Sequence, residues 1–214
     1  MAPQVTNMKS GDRPVWAAGL ILAVIAAVCT LLVALTYRLT GARIAANEQA
    51  WLEQSLQPAL AGVAYDNNLS QSTMTIPLPH ELPGNEPVLV YRALYEDRPV
   101  AALFVVTAVD GFSGPIRLLV GIDHTGVVTG VRVLMHRETP GLGDFIDSAK
   151  SDWMDQFGDK SLSAPDRARW ALVRDGGEFD QVTGASITSR AVVKAVRETL
   201  LYFEANREAV LAGL

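Results

Sequence analysis

The sequence predicts an α+β protein, with a single N-terminal transmembrane helix followed by a domain in which helices pack on an antiparallel sheet. Three observations carry this reading. Residues 15–37 are apolar and uncharged. Four short strand-like segments, divided by turn residues, lie between 88 and 135. A helix-like segment, 189–200, stands directly behind a hydroxyl-rich loop.

The run 15–37 reads VWAAGLILAVIAAVCTLLVALTY. As a helix it spans about 34 Å, against roughly 30 Å of bilayer hydrocarbon. Trp16 and Tyr37 mark its ends, as interfacial aromatics do, and Pro14 suits a helix entrance. The run exceeds a signal-peptide core, and no small-x-small cleavage site follows it. Ala26-Ala27-Val28-Cys29 makes a poor lipid-attachment box, because helix-forming apolar residues continue past it. Lys9 and Arg13 before the run balance Arg38 and Arg43 after it, so charge does not orient the helix.

The expected organisation is a tail at 1–14, the transmembrane helix at 15–37, a membrane-proximal helix and connection at 38–87, and a domain at 88–214. Within 43–60, Ala45, Trp51, Leu52, Leu56 and Leu60 give an apolar side, and Pro58 ends or kinks the helix. Residues 67–86 carry Pro77, Pro79 and Pro83 and read as a loop-rich connection. Strands are expected at 88–96, 99–109, 116–122 and 127–135, with turns at 96–99, 110–115 and 123–126. Residues 143–155 read as partly helical, with Ile146, Ala149, Trp153 and Met154 toward the core.

Composition narrows the function. The 214 residues leave about 170 beyond the apolar run, enough for a sizeable core. A formal charge of −5 and no dense Lys/Arg cluster exclude nucleic acid as the main partner. Cys29 is the single cysteine, so no disulfide and no cysteine-rich metal motif is expected within the chain. His80, His124 and His136 stand far apart in sequence, and no metal site is expected.

Two loops hold the chemistry. Asp180-Gln181-Val182-Thr183-Gly184-Ala185-Ser186-Ile187-Thr188-Ser189 sets hydroxyls around a glycine at a helix entrance. It lacks the lysine of a nucleotide loop. Such a segment either caps the helix or gathers a phosphate at the helix's positive end, and one segment can do both. Arg137-Glu138-Thr139-Pro140-Gly141-Leu142-Gly143 is a restrained turn whose glycines allow close approach. It is either a plain turn or a bed for a flat ring. No acid, base and nucleophile constellation accompanies either loop, so no catalytic residue is assigned.

Those loops, together with Asp110-Gly111-Phe112-Ser113-Gly114 and the N-terminal apolar run, resemble the FMN-binding G subunit of the bacterial Rnf/Rsx electron-transport complex. They are similar also to the related C subunit of the sodium-translocating NADH:quinone reductase. The resemblance implies FMN joined through its phosphate to the final hydroxyl residue of an Asp-x-x-Ser/Thr-Gly-Ala-Thr motif. The matching position is Ser186, a departure from the usual threonine, and Thr188 is the alternative. It implies that Thr183, Gly184 and Ala185 shape the attachment loop, and that Glu138, Thr139, Gly141, Leu142 and Gly143 form the loop beside the ring. It implies that Asp180 belongs to the attachment signal and that 110–114 is mainly a structural turn.

The implied activity is electron relay within an ion-translocating ferredoxin:NAD oxidoreductase, of which the isolated chain holds only a part. The implied partners are the other subunits and a periplasmic flavin transferase that uses FAD. The implied location is the inner membrane, with the N-terminus cytoplasmic and the FMN-binding domain, 88–214, periplasmic. The alternatives are a subunit of another membrane redox complex, such as a quinone reductase, and a flavin-free assembly subunit.

Overall fold

The computed structural model describes residues 15–213, with backbone alone at 15, 17, 18, 35 and 38–55. The expected tail 1–14 lies outside the described residues. The chain divides into two compact units between Glu48 and Gln49.

Helix α1, Val15–Ala59, contributes to both units. Its Ala/Leu-rich sequence favours helix. The hydroxyls of Thr30 and Thr36 donate to the carbonyls of Ala26 and Leu32, each at 2.8 Å, so these polar groups stay within the helix. Pro58 sits inside the last turn, and the helix stops one residue later.

Among the described residues, no helix is long and apolar enough to cross a membrane. This corrects the expected transmembrane helix at 15–37. Apolar side chains of this run, Leu20, Leu22, Leu31 and Val33 among them, are exposed. The single-pass inner-membrane location that the resemblance implied, with its cytoplasmic N-terminus and periplasmic domain, needs such a helix and is corrected with it.

The second unit is built on an antiparallel sheet in the order β1-β2-β3-β4-β5. The strands are β1 Thr73–Ile76, β2 Val88–Tyr95, β3 Arg98–Ala108, β4 Ile116–Asp123 and β5 Val128–Met135. Four match the expected strands within a residue or two. β1 lies inside the expected connection at 67–86; it is a short edge strand paired only to β2. The β2–β3 hairpin turns on Glu96 and Asp97, both at positive φ, as a two-residue turn matched to strand twist requires.

Alternation along β3 gives the sheet two buried faces. Leu103 and Val105 pack with Tyr91, Leu119, Leu56 and Leu60 on one. Phe104 and Val106 pack with Val90, Leu118, Val120 and the last helix on the other. Gly130 leaves room for the end of α1; a Cβ there would stand 2.9 Å from the Pro58 carbonyl oxygen.

Helix α2, Ser186–Ala212, buries Val192, Val196, Leu200 and Phe203 on the sheet. Phe104 meets Phe203 edge-on, with ring centroids 6.2 Å apart. The helix starts earlier and runs longer than the expected 189–200. It begins just after Gly184 (φ +87°) and stops at left-handed Gly213 (φ +77°).

The segment expected to be partly helical, 143–155, forms two 3-10 turns, Asp144–Ile146 and Trp153–Phe157, rather than one continuous helix. Polar side chains between them capture backbone donors. Asp147 accepts from the Ala149 N–H at 3.0 Å, and Ser151 Oγ from the Trp153 N–H at 3.0 Å. Phe145, Trp153, Phe157, Trp170 and Phe179 form a continuous aromatic cluster. The Trp153 indole N–H donates to the Asp180 carbonyl at 3.0 Å, anchoring the hydroxyl-rich loop to that cluster.

Candidate functional site

Three loops converge at one end of the sheet: 110–115 between β3 and β4, 136–143 after β5, and 180–185 before α2. Glu138 joins them and is only 4% exposed. Its Oε1 accepts the Ser113 N–H at 2.9 Å, and its Oε2 accepts the Thr188 hydroxyl at 2.5 Å. A carboxylate so deeply buried needs such donors to replace water.

Gly143 allows the close approach. A Cβ there would stand 2.9 Å from both Cβ and Oε2 of Glu138, and 3.3 Å from Thr188 Oγ1. The turn itself is closed by the N–H groups of Leu142 and Gly143, which donate to the Thr139 carbonyl at 3.1 and 2.9 Å. Just beyond it, the Lys150 ammonium donates to Asp144 at 2.5 Å and holds that carboxyl below its ordinary range.

The loops enclose a cavity of about 260 Å³. Glu138, Thr139, Leu142 and Gly143 line one side; Gly184, Ala185, Ser186 and Thr188 line the other. Of the residues singled out from sequence, Thr183 and Gly141 do not line it. Both are exposed. Gly141 instead supplies the left-handed conformation of the turn, at φ +74°. Asp180 is exposed outside the cavity, held by its backbone: its N–H donates to Gln156 Oε1 at 2.8 Å.

The three hydroxyls of the loop differ in environment. Thr183 is exposed, Ser186 is half-buried against the cavity, and Thr188 is 1% exposed with its proton committed to Glu138. Ser186 Oγ accepts from Arg174 Nη1 at 3.1 Å. Among the described residues no side chain caps the start of α2, so the N–H groups of its first turn add positive potential beside Ser186.

Sequence reasoning missed Arg174 and Ile187 and read Phe112 as part of a structural turn; all three line the cavity. Phe112, Leu142 and Ile187 are large apolar residues left exposed. Ile187 had a legible signal, an apolar residue at a helix start directly after the hydroxyl. Arg174 had none, because its place follows from the fold of 170–185. Among the described residues, no group of three or more His, Cys, Asp or Glu is placed to hold a metal ion.

Comparison with known proteins extends this geometry. A family described as the RnfG N-terminal region matches residues 8–58, and one described as an FMN-binding domain matches 111–201. The G subunit of the ion-translocating oxidoreductase complex from Pseudoalteromonas atlantica is 43% identical over 195 residues, covering 91% of each chain. The chain belongs to this G-subunit family. The Escherichia coli K12 relative of the same description is 47% identical, over 86% of this chain and 88% of that one. The Pseudomonas aeruginosa PAO1 relative is 44% identical over 90% of each. A solved structure, "Crystal structure of Shewanella oneidensis NqrC", aligns with a TM-score of 0.48 at 20% identity, over 69% of this chain and 75% of that one.

FMN is the cofactor that G-subunit membership and the FMN-binding match assign to this chain. The matched segment 111–201 takes in β4, β5, nearly all of the three loops and the first half of α2, but not β1–β3. The residues around the cavity fit such a group: a hydroxyl and a cation for phosphate at one side, exposed apolar side chains for a ring at the other.

Proposed function

We propose that this G-subunit chain relays electrons within an ion-translocating oxidoreductase complex through FMN held by a phosphoester to Ser186. The observation that carries the assignment is the contrast between two hydroxyls two residues apart. Ser186 Oγ borders the cavity and, among the described residues, meets only a cation donor, whereas Thr188 Oγ1 is buried and spent on Glu138. A serine lacks the methyl of the family's usual threonine but keeps the oxygen that forms the ester.

Attachment would come from a flavin transferase using FAD. Ser186 Oγ bonds to the FMN phosphorus, the pyrophosphate P–O bond breaks, AMP leaves, and the hydroxyl proton is lost. The flavin then supplies the redox chemistry, and the protein positions it. A cavity of about 260 Å³ falls below the roughly 300–1,000 Å³ that encloses a drug-sized ligand. A flavin there would lie partly open, as exchange of electrons with neighbouring subunits requires. Phe112, Leu142 and Ile187 would shield part of the ring from water.

The test is tandem mass spectrometry of the full chain produced with its flavin transferase. FMN phosphate on Ser186, and its loss in Ser186→Ala, are the expected results. The same mass on Thr188 or Thr183 of the parent protein sinks the assignment.

A further inference from the structure

We infer that Arg174 is a positioning residue that holds the phosphate joined to Ser186 and fixes the direction of the flavin tether; this rests on the Ser186 assignment above. Arg174 rides on the 3-10 turn Val173–Asp175, which ends in left-handed Gly176 at φ +85°. The turn is pinned on both sides: the Val173 N–H donates to the Phe179 carbonyl at 2.8 Å, and the Asp175 N–H to that of Leu172 at 2.8 Å. Its guanidinium reaches Ser186 Oγ at 3.1 Å and borders the same cavity.

A second arginine shows why this one is free to act. Arg190 lies one helical turn after Ser186, but its Nε and Nη2 both donate to Asp175 Oδ2, at 3.0 and 2.7 Å. Asp175 adjoins Arg174 in the same turn. The Asp175–Arg190 pair therefore straps the turn to α2 and leaves Arg174 facing Ser186. Among the described residues, no ion pair engages Arg174.

A phosphodiester on Ser186 carries one negative charge, shared between two oxygens next to the atom Arg174 already contacts. A planar guanidinium matches that pair of acceptors, while an ammonium supplies the charge without the fork. The first turn of α2 adds its N–H groups from the same end. Together they neutralise the tether and restrict its rotation, so the ring is delivered to the Leu142 side of the cavity.

The experiment records the ³¹P resonance of the folded, flavinylated full chain as parent, Arg174→Gln and Arg174→Lys, with circular dichroism as a check on folding. Arg174 is exposed, so both variants are expected to fold. Displacement of the resonance in Arg174→Gln, with partial return in Arg174→Lys, is the expected result. Lower anisotropy of flavin fluorescence should accompany it in Arg174→Gln. A labelled parent whose resonance is the same in all three proteins overturns the inference alone. Slower labelling with an unchanged resonance also overturns it, since Arg174 would then serve the transferase instead. A parent without phosphate on Ser186 overturns both this inference and the attachment assignment.

Discussion

The Thr188 hydroxyl donates to Glu138 Oε2 across fifty residues of sequence. With the Ser113 N–H on the other oxygen, it ties the β3–β4 turn, the loop after β5 and the start of α2 to one buried carboxylate. The cavity walls are therefore held by a side chain that itself lines the cavity.

Glu138→Ala should destabilise the second unit by about 2 kcal/mol, because the buried Thr188 hydroxyl and the part-buried Ser113 N–H lose their acceptors. Glu138→Gln should cost nearer 1 kcal/mol. Its carbonyl can still accept from Ser113, and its amide can donate to the Thr188 hydroxyl, which is able to accept. Urea unfolding of both variants measures the difference. Equal losses would show that side-chain volume, rather than the paired acceptors, supports the loops.

Ser186 and Thr188 should separate attachment from stability. Thr188→Val keeps the shape but leaves Glu138 Oε2 unpaired, so a loss of about 1–3 kcal/mol is expected with the flavin still attached to Ser186. Ser186→Ala removes a half-buried hydroxyl at the cavity edge and should change stability by less than about 0.5 kcal/mol while abolishing attachment. Ser186→Thr should remain labelled. Mass spectrometry beside urea unfolding tests the pair; loss of label in a well-folded Thr188→Val would reverse the two assignments.

The two glycines of the loop make opposite demands. At Gly143 an added methyl crowds Glu138 and Thr188, so Gly143→Ala should cost about 1–3 kcal/mol through overpacking. A Cβ at Gly141 would meet no described atom within 4 Å beyond its chain neighbours, and the cost comes from φ +74°, about 1–2 kcal/mol of backbone strain. A double-mutant cycle distinguishes them. The Gly143→Ala penalty should shrink in a Glu138→Ala background, and the Gly141→Ala penalty should not.

The sheet was legible because period-two alternation and turn residues are local properties. Val88–Tyr95 through Val128–Met135 emerge close to expectation for that reason. β1 was hidden because Thr73–Ile76 is too short to show a period and is flanked by proline. Residues 143–155, read as partly helical, form separate 3-10 turns because Asp147 and Ser151 take backbone donors that a continuous helix needs. In the site, the motif loops were legible as loops, but their joint was not. Glu138 reads in sequence as one member of a turn, and only the fold places Thr188 and Ser113 against it. The apolar run at 15–37 gave a strong local signal for a spanning helix that the described residues do not sustain.

The β4–β5 turn offers a pH test remote from the cavity. Asp123 Oδ1 accepts from the Thr125 N–H at 2.8 Å, the Thr125 hydroxyl at 2.6 Å and the Val127 N–H at 2.9 Å. Partial burial alone would raise this carboxyl's pKa, but the donors from Thr125, Val127 and Gly126 outweigh it and hold the group below 3.8. A folded value below the unfolded one means the carboxylate stabilises the fold fully above the unfolded value. That contribution is lost as pH falls through the folded value. Asp123→Ala should therefore be less stable than the parent by about 1 kcal/mol at pH 7, the figure being modest because the group is half in solvent. The difference should narrow as pH drops below 3.8. Urea midpoints of parent and variant between neutral pH and the acid limit of folding measure the gap. A gap that stays constant into acid would mean that the turn gains nothing from the ionised form.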